Sequence, residues 1–159
     1  MNKIDKPAED TRVKTADVTK TKGSSFSDFS LNKKLLRGIL EFGFSKPSPV
    51  QEESIPNILM GNNLLCRAKN GTGKTGAYCI PLLQLIDVNK KYTQALILVP
   101  TRELALQTSR FIKEISKYMI GLNIICTTGG TQLRDDILRF KQRKIHLVVA
   151  TPGRLLDLA

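Results

Sequence analysis

The chain is 159 residues long, about one domain, and 41% of it is apolar, enough for a buried core. A formal net charge of +11 points to an acidic partner, nucleic acid being the commonest, against the plainer reading of a basic solvated surface. No run of about eighteen apolar residues offers a transmembrane span, the N-terminus is too polar for a secretory signal, and Cys66, Cys79 and Cys126 stand too far apart for a zinc or disulfide pattern, which points to reduced thiols inside a cell.

Residues 1–25 are rich in Lys, Asp and Thr and read as a disordered polar tail, because they bury too little apolar area to offset ordering entropy. The folded unit is expected over 26–159. Phe26 and Phe29 are its first aromatics. A helix follows from about residue 31, with Leu35, Leu36, Ile39 and Leu40 at amphipathic spacing, and ends at Gly43. Pro47 and Pro49 stiffen the next turn, and a second helix runs over 49–59. Gln51, early in that helix, carries a donor and an acceptor that suit the N6/N7 edge of adenine; taken alone it reads as a surface glutamine.

A short strand is expected over 63–67, running into Ala-Lys-Asn-Gly-Thr-Gly-Lys-Thr at 68–75. This is a phosphate-binding loop with Ala68 where the strict pattern has glycine. Gly71 and Gly73 let successive N–H groups converge on an anion, with Thr72 between them. Lys74 supplies a point charge for the β- and γ-phosphates and Thr75 a hydroxyl for Mg²⁺. The rival reading is a glycine-rich turn beside a lysine. A helix over 74–86 contains Pro81, which is expected to kink it.

The near-continuous apolar run 94–100 reads as a strand buried on both faces, as in a parallel sheet. Thr101 then caps a helix to about residue 118. Strands over 123–127 and 145–150 follow, separated by a helix over 132–141, and another helix starts after Thr151-Pro152-Gly153-Arg154. Strand–helix repetition predicts an open α/β fold with a mostly parallel sheet flanked by helices. In such folds ligands sit beyond the carboxyl ends of the strands, where 68–75, 100–107, 128–131 and 151–154 all fall. His146, mid-strand, reads as a packing residue. Arg139, Lys141, Arg143 and Lys144 read equally as an RNA-steering patch or a solvated helix end.

These residues resemble the first RecA-like domain of a DEAD-box RNA helicase. The segment 43–51 matches the Q motif, with Phe26 upstream of it, and 68–75 matches motif I. Pro100-Thr101-Arg102-Glu103-Leu104-Ala105 matches motif Ia, Gly129-Gly130 the GG element, and Thr151-Pro152-Gly153-Arg154 motif Ib. The wording of 47–56, 68–74 and 128–137 resembles the branch that activates mRNA decapping and represses translation, whose members collect in cytoplasmic P-bodies.

By position, the resemblance implies that Gln51 reads adenine, Phe44 stacks on its ring, and Ala68, Gly71, Thr72, Gly73, Lys74 and Thr75 hold ATP and Mg²⁺. It implies that Thr101, Arg102, Gly129, Gly130, Thr151, Gly153 and Arg154 face a single RNA strand through its backbone, without base reading. An arginine at a helix start is badly placed unless an anion compensates it. Decapping and other mRNP proteins are the implied partners of a longer parent.

The resemblance also implies an Asp-Glu-Ala-Asp motif on a further sheet strand, a Ser-Ala-Thr motif and a second RecA-like domain, none of which is in these residues. The expectation is therefore a domain incomplete at its C-terminal side, with an exposed apolar sheet edge and little or no ATPase or unwinding activity of its own. The alternative is a non-catalytic RNA- or RNP-binding module that uses its basic surface. A DNA helicase or transport ATPase would share the phosphate loop but lack the Gln51 and 100–105 motifs.

Overall fold

The computed structural model describes residues 21–142 and 144–159. Residues 1–20 of the expected tail, and Arg143 of the basic run, lie outside the described residues. Residues 22–25, grouped with the tail by composition, are fastened to the folded unit. The N–H groups of Lys22 and Ser24 donate to the two Glu52 carboxylate oxygens at 2.6 and 3.0 Å. Hydrogen bonds, not apolar area, place this stretch, and composition does not register them. Ser25 then caps a 3-10 turn, Phe26–Phe29, which delivers Phe26 to full burial.

Helix α1 (Lys33–Glu41) is capped by Asn32, whose Oδ1 accepts the Lys34 N–H. It closes on Gly43 at φ +104°, with the N–H groups of Gly43 and Phe44 donating back to Leu40 and Ile39. This left-handed ending directs Phe44 inward. Helix α2 (Pro49–Leu59) has the expected bounds and packs against α3 (Lys74–Leu85), which continues through Pro81.

Three parallel strands follow: β1 (Ala95–Leu98), β2 (Ile124–Thr127) and β3 (Leu147–Ala150). They alternate with α4 (Arg102–Ile115), α5 (Leu133–Gln142) and α6 (Pro152–Leu158). The sheet order is β1-β3-β2, with Leu98 and Thr127 both opposite Ala150. Successive side chains of central β3 point to opposite faces. Leu147 and Val149 join the larger core, with Leu35, Ile39, Ile80, Leu83 and Ile112. Val148 and Ala150 join a smaller one, with Ile125 and Ile145 under Phe140 and Leu155. Helices α1 and α4 meet closely, since a β-carbon on Gly38 would lie 1.9 Å from the Ile115 carbonyl oxygen.

Two expectations fail together. No strand forms over 63–67, where Leu65 is 100% exposed. Nor is β1 buried on both faces: Ala95 and Ile97 are covered, but Leu96 and Leu98 are 46% and 51% exposed. A strand needs a neighbour for its ladder, and among the described residues nothing pairs with 63–67 or with the outer edge of β1. The hydrophobic runs are strand-like; the partner is what they lack.

Candidate functional site

The phosphate loop is built from the backbone. Gly71 and Gly73 hold φ of +78° and +93°, in the left-handed region. Gly73 caps α3 without a side-chain hydrogen bond, so the first-turn N–H groups of α3 keep no side-chain acceptor. The Lys74 ammonium folds back on the loop. It donates to the Ala68 carbonyl, to the Lys69 carbonyl at 2.9 Å, and to Asn70 Oδ1 at 3.4 Å. Buried Thr72 donates to the Lys69 carbonyl at 2.8 Å. The loop carbonyls thus hold the ammonium at the loop. A cavity of about 1000 Å³ is bordered by Gly71, Gly73, Lys74 and Thr75, and on its far wall by Leu104 and Gln107 of α4. Tyr78 lies in its wall as well, with burial pushing its phenol pKa up.

Gln51 is not a surface glutamine. It is 3% exposed, and its amide bridges two elements. Nε2 donates to the Gly73 carbonyl at 3.1 Å, and Oε1 accepts the Ser48 N–H at 3.0 Å. Both polar ends that suit adenine are engaged with protein. The side chain fits because Gly73 and Gly76 carry none: a β-carbon there would stand 2.7 or 2.6 Å from Nε2. Phe44 is half-buried in an aromatic group, parallel to Phe26 with ring centroids 6.1 Å apart and edge-on to Phe42. Phe44 and Gln51 therefore stand beside the loop but do not border the cavity.

The three turns beyond the strands share one rim. The Val99 N–H donates to the Ala150 carbonyl and the Thr151 N–H to that of Thr127, continuing the ladder. Thr101 caps α4, its Oγ1 accepting the Leu104 N–H at 3.2 Å. Exposed Arg102 reaches the glycine turn, where a β-carbon on Gly130 (φ +87°) would lie 2.9 Å from Nη1. Gly129 and Gly153 face open space. Thr151 precedes α6 and makes no side-chain cap bond, which leaves its hydroxyl free of that role. Arg154, expected to face RNA, is 7% exposed and held by Asp136 at 2.8 Å. That carboxylate is the anion that compensates an arginine in the first turn of α6.

Three residues that the sequence reading does not single out, Asp136, Thr131 and Ser48, hold Arg154 and Gln51 in place. Asp136 and Thr131 carry no local sequence signal. Ser48 had one: Ser48-Pro49-Val50-Gln51 is a capping-box pattern, which foretells that Gln51 turns back on the Ser48 N–H. His146 is buried as expected of a packing residue, but it precedes β3 rather than lying mid-strand, and its Nδ1 accepts the Asn123 N–H at 2.9 Å.

The sequence profile described as DEAD/DEAH box helicase matches residues 48–159. The chain belongs to the DEAD/DEAH box helicase family. It is 62% identical over 152 residues to DEAD-box ATP-dependent RNA helicase 12 of Arabidopsis thaliana, covering 96% of this chain and 30% of that one. It is 56% identical over 157 residues to ATP-dependent RNA helicase me31b of Drosophila melanogaster, covering 99% and 34%. Among solved structures, S. cerevisiae Dbp5 bound to RNA and ADP BeF3 superposes with a TM-score of 0.75 at 32% identity, covering 84% of this chain and 33% of that one. The chain thus spans about 30% of the length of the curated helicases it matches. Its three-stranded parallel sheet flanked by helices is a RecA-like DEAD-box fold.

Proposed function

We propose that these residues form the part of an ATP-dependent DEAD-box RNA helicase that holds the triphosphate and one stretch of single-stranded RNA. One observation carries the reading: α4 borders both places. Its first turn brings Arg102 to the Gly130 turn, and Leu104 and Gln107 wall the cavity of Lys74 and Thr75. A shift of this helix on nucleotide binding would move the RNA rim with it.

The donor set fits a nucleoside triphosphate. The glycine loop, the uncapped start of α3 and one ammonium supply the protons that phosphate oxygens accept. Thr75 would offer its hydroxyl to Mg²⁺. Among the described residues no cluster of three His, Cys, Asp or Glu could hold a metal, so Mg²⁺ would arrive with the phosphates. When bound, the metal neutralises charge on the transferring phosphoryl group. Phe44 would stack on the adenine ring only from the part of its ring that Phe26 and Phe42 leave uncovered. Gln51 would acquire the base only with its remaining N–H and lone pair, while keeping the loop attached to α2.

RNA would be held by its sugar–phosphate backbone at Thr101, Arg102, Gly129, Gly130, Thr151 and Gly153. The wording of 47–56, 68–74 and 128–137 supports a role in cytoplasmic mRNA decapping and translational repression, with P-bodies as the site and mRNP proteins as partners. Among the described residues no helix is long and apolar enough to cross a membrane. ATP turnover is proposed for a full-length parent helicase that contains these residues. Lys74→Ala in that parent is expected to abolish RNA-stimulated ATP hydrolysis and ATP-dependent RNA clamping. Undiminished turnover in that variant would refute the reading, and unchanged RNA clamping would favour a non-catalytic RNP-binding module.

A further inference from the structure

The arginine of the Thr151–Arg154 turn is half of a buried ion pair. Arg154 and Asp136 side chains are 6% and 4% exposed. Arg154 Nη1 donates to Asp136 Oδ2 at 2.8 Å and to Thr131 Oγ1 at 3.1 Å, and Nη2 donates to the Thr131 carbonyl at 2.6 Å. The same Asp136 oxygen accepts the Thr127 hydroxyl at 2.6 Å. One carboxylate therefore ties together the end of β2, the turn after Gly129-Gly130, and the first turn of α6. Stability alone does not call for this arrangement, since an apolar pair of the same volume commonly serves as well. Nor is the guanidinium placed to neutralise a phosphate. Both of its terminal nitrogens point into the protein, and its Nε is buried without a hydrogen-bond partner.

We propose that Asp136 and Arg154 are a positioning pair: they set the 128–131 turn against the Thr151 turn so that the two present their backbone groups to a single RNA strand together. This rests on the reading that the rim takes RNA. Gly129 and Gly153 offer no side chain, so their N–H groups can meet adjoining phosphates only if the two turns keep a fixed offset. The Arg154 fork fixes it by gripping Thr131 from α6 through two nitrogens, and Asp136 orients the fork.

The test uses the full chain and a single-stranded oligouridine. RNA affinity, its salt dependence, ATP affinity and thermal midpoint are measured for wild type, Asp136→Asn, Arg154→Lys and the double variant. Each single variant is expected to weaken RNA binding about ten-fold, and the double no further, since both act on one element. ATP affinity stays at the wild-type value. The salt slope is unchanged, because no phosphate contact is lost. Lysine is the informative replacement: it keeps the charge a phosphate needs but cannot grip Thr131 and Asp136 at once. Wild-type affinity in Arg154→Lys, or a slope reduced by about one in Arg154→Gln, would make Arg154 a direct phosphate contact and overturn the proposal. So would a parallel fall in ATP affinity and thermal midpoint, which marks a purely structural pair. A wild-type chain that binds no RNA removes the RNA reading itself, whereas variants that bind as well as a binding wild type remove only the positioning role.

Discussion

Gly76→Ala tests whether Gln51 is a strut between α2 and the phosphate loop. Gly76 lies in the first turn of α3, where an unobstructed Gly→Ala exchange gains about 0.5–1 kcal/mol of helix propensity. Here the new β-carbon would stand 2.6 Å from Gln51 Nε2 and 3.2 Å from Phe44 Cε2. A flexible side chain could usually step aside, but Gln51 is 3% exposed and bonded at both ends of its amide. Displacing it forfeits two hydrogen bonds at about 1 kcal/mol each and leaves buried groups unpaired. The loss exceeds the propensity gain, so the net effect is about 1–2 kcal/mol destabilising, or a midpoint about 2–8 °C lower. In a Gln51→Ala background only the Phe44 contact at 3.2 Å remains, and Gly76→Ala becomes markedly less destabilising or neutral. Thermal unfolding of the four proteins closes the cycle. A rise in midpoint for Gly76→Ala in the wild-type background, or the same shift in both backgrounds, would refute the strut.

Gly38→Ala is expected to cost about 1–3 kcal/mol or more in urea unfolding, because the backbone of Ile115 blocks the new methyl group at 1.9 Å and α1 must lift from α4. Glu41 has its carboxyl pKa lowered to about 2, chiefly by the Tyr118 hydroxyl and then by Arg37 and Lys117. A depressed folded pKa stabilises above the ordinary carboxylate range and is lost as pH falls from 4.5 toward 2. The stability gap between wild type and Glu41→Gln should therefore be widest near neutral pH and close on acidification; a gap that widens in acid contradicts the assignment. Leu98→Lys, on the open face of β1, should change stability by no more than about 0.5 kcal/mol and reduce self-association in light scattering. A loss of the size found for a core leucine would show that this face is covered.

The helices were legible because each carries its own punctuation. Asn32 and Gly43 bracket α1, Pro49 opens α2, and Thr101 caps α4. The β3 run was legible because four consecutive apolar residues need cover on both faces and find it. The run at 63–67 has the same local character yet forms no strand, since pairing is a property of two segments and only one is present among the described residues. The outward Leu96 and Leu98 have the same cause.

At the site, the residue types were legible and their partners were not. Lys74 is expected to meet a phosphate, and its ammonium is held at the loop by the Ala68 and Lys69 carbonyls. Gln51 carries the donor and acceptor pair that adenine requires, and the protein uses both. Arg154 was read from its place at a helix start as needing an anion. That inference is physically sound, and the anion is Asp136, eighteen residues earlier. Sequence order hides such a pair, and the return of the chain from α5 to α6 creates it.

The central claim is that one small unit holds a nucleoside triphosphate through Lys74 and RNA through the rim beside it. It is tested most directly by titrating the chain with Mg·ATP, followed calorimetrically, for wild type and Lys74→Ala, with oligouridine binding measured on the same two proteins. The account predicts saturable nucleotide binding to the wild type, its loss in Lys74→Ala with the thermal midpoint retained, and RNA affinity that survives the substitution. Nucleotide binding that persists in Lys74→Ala, or that is absent from the folded wild-type chain, would contradict it.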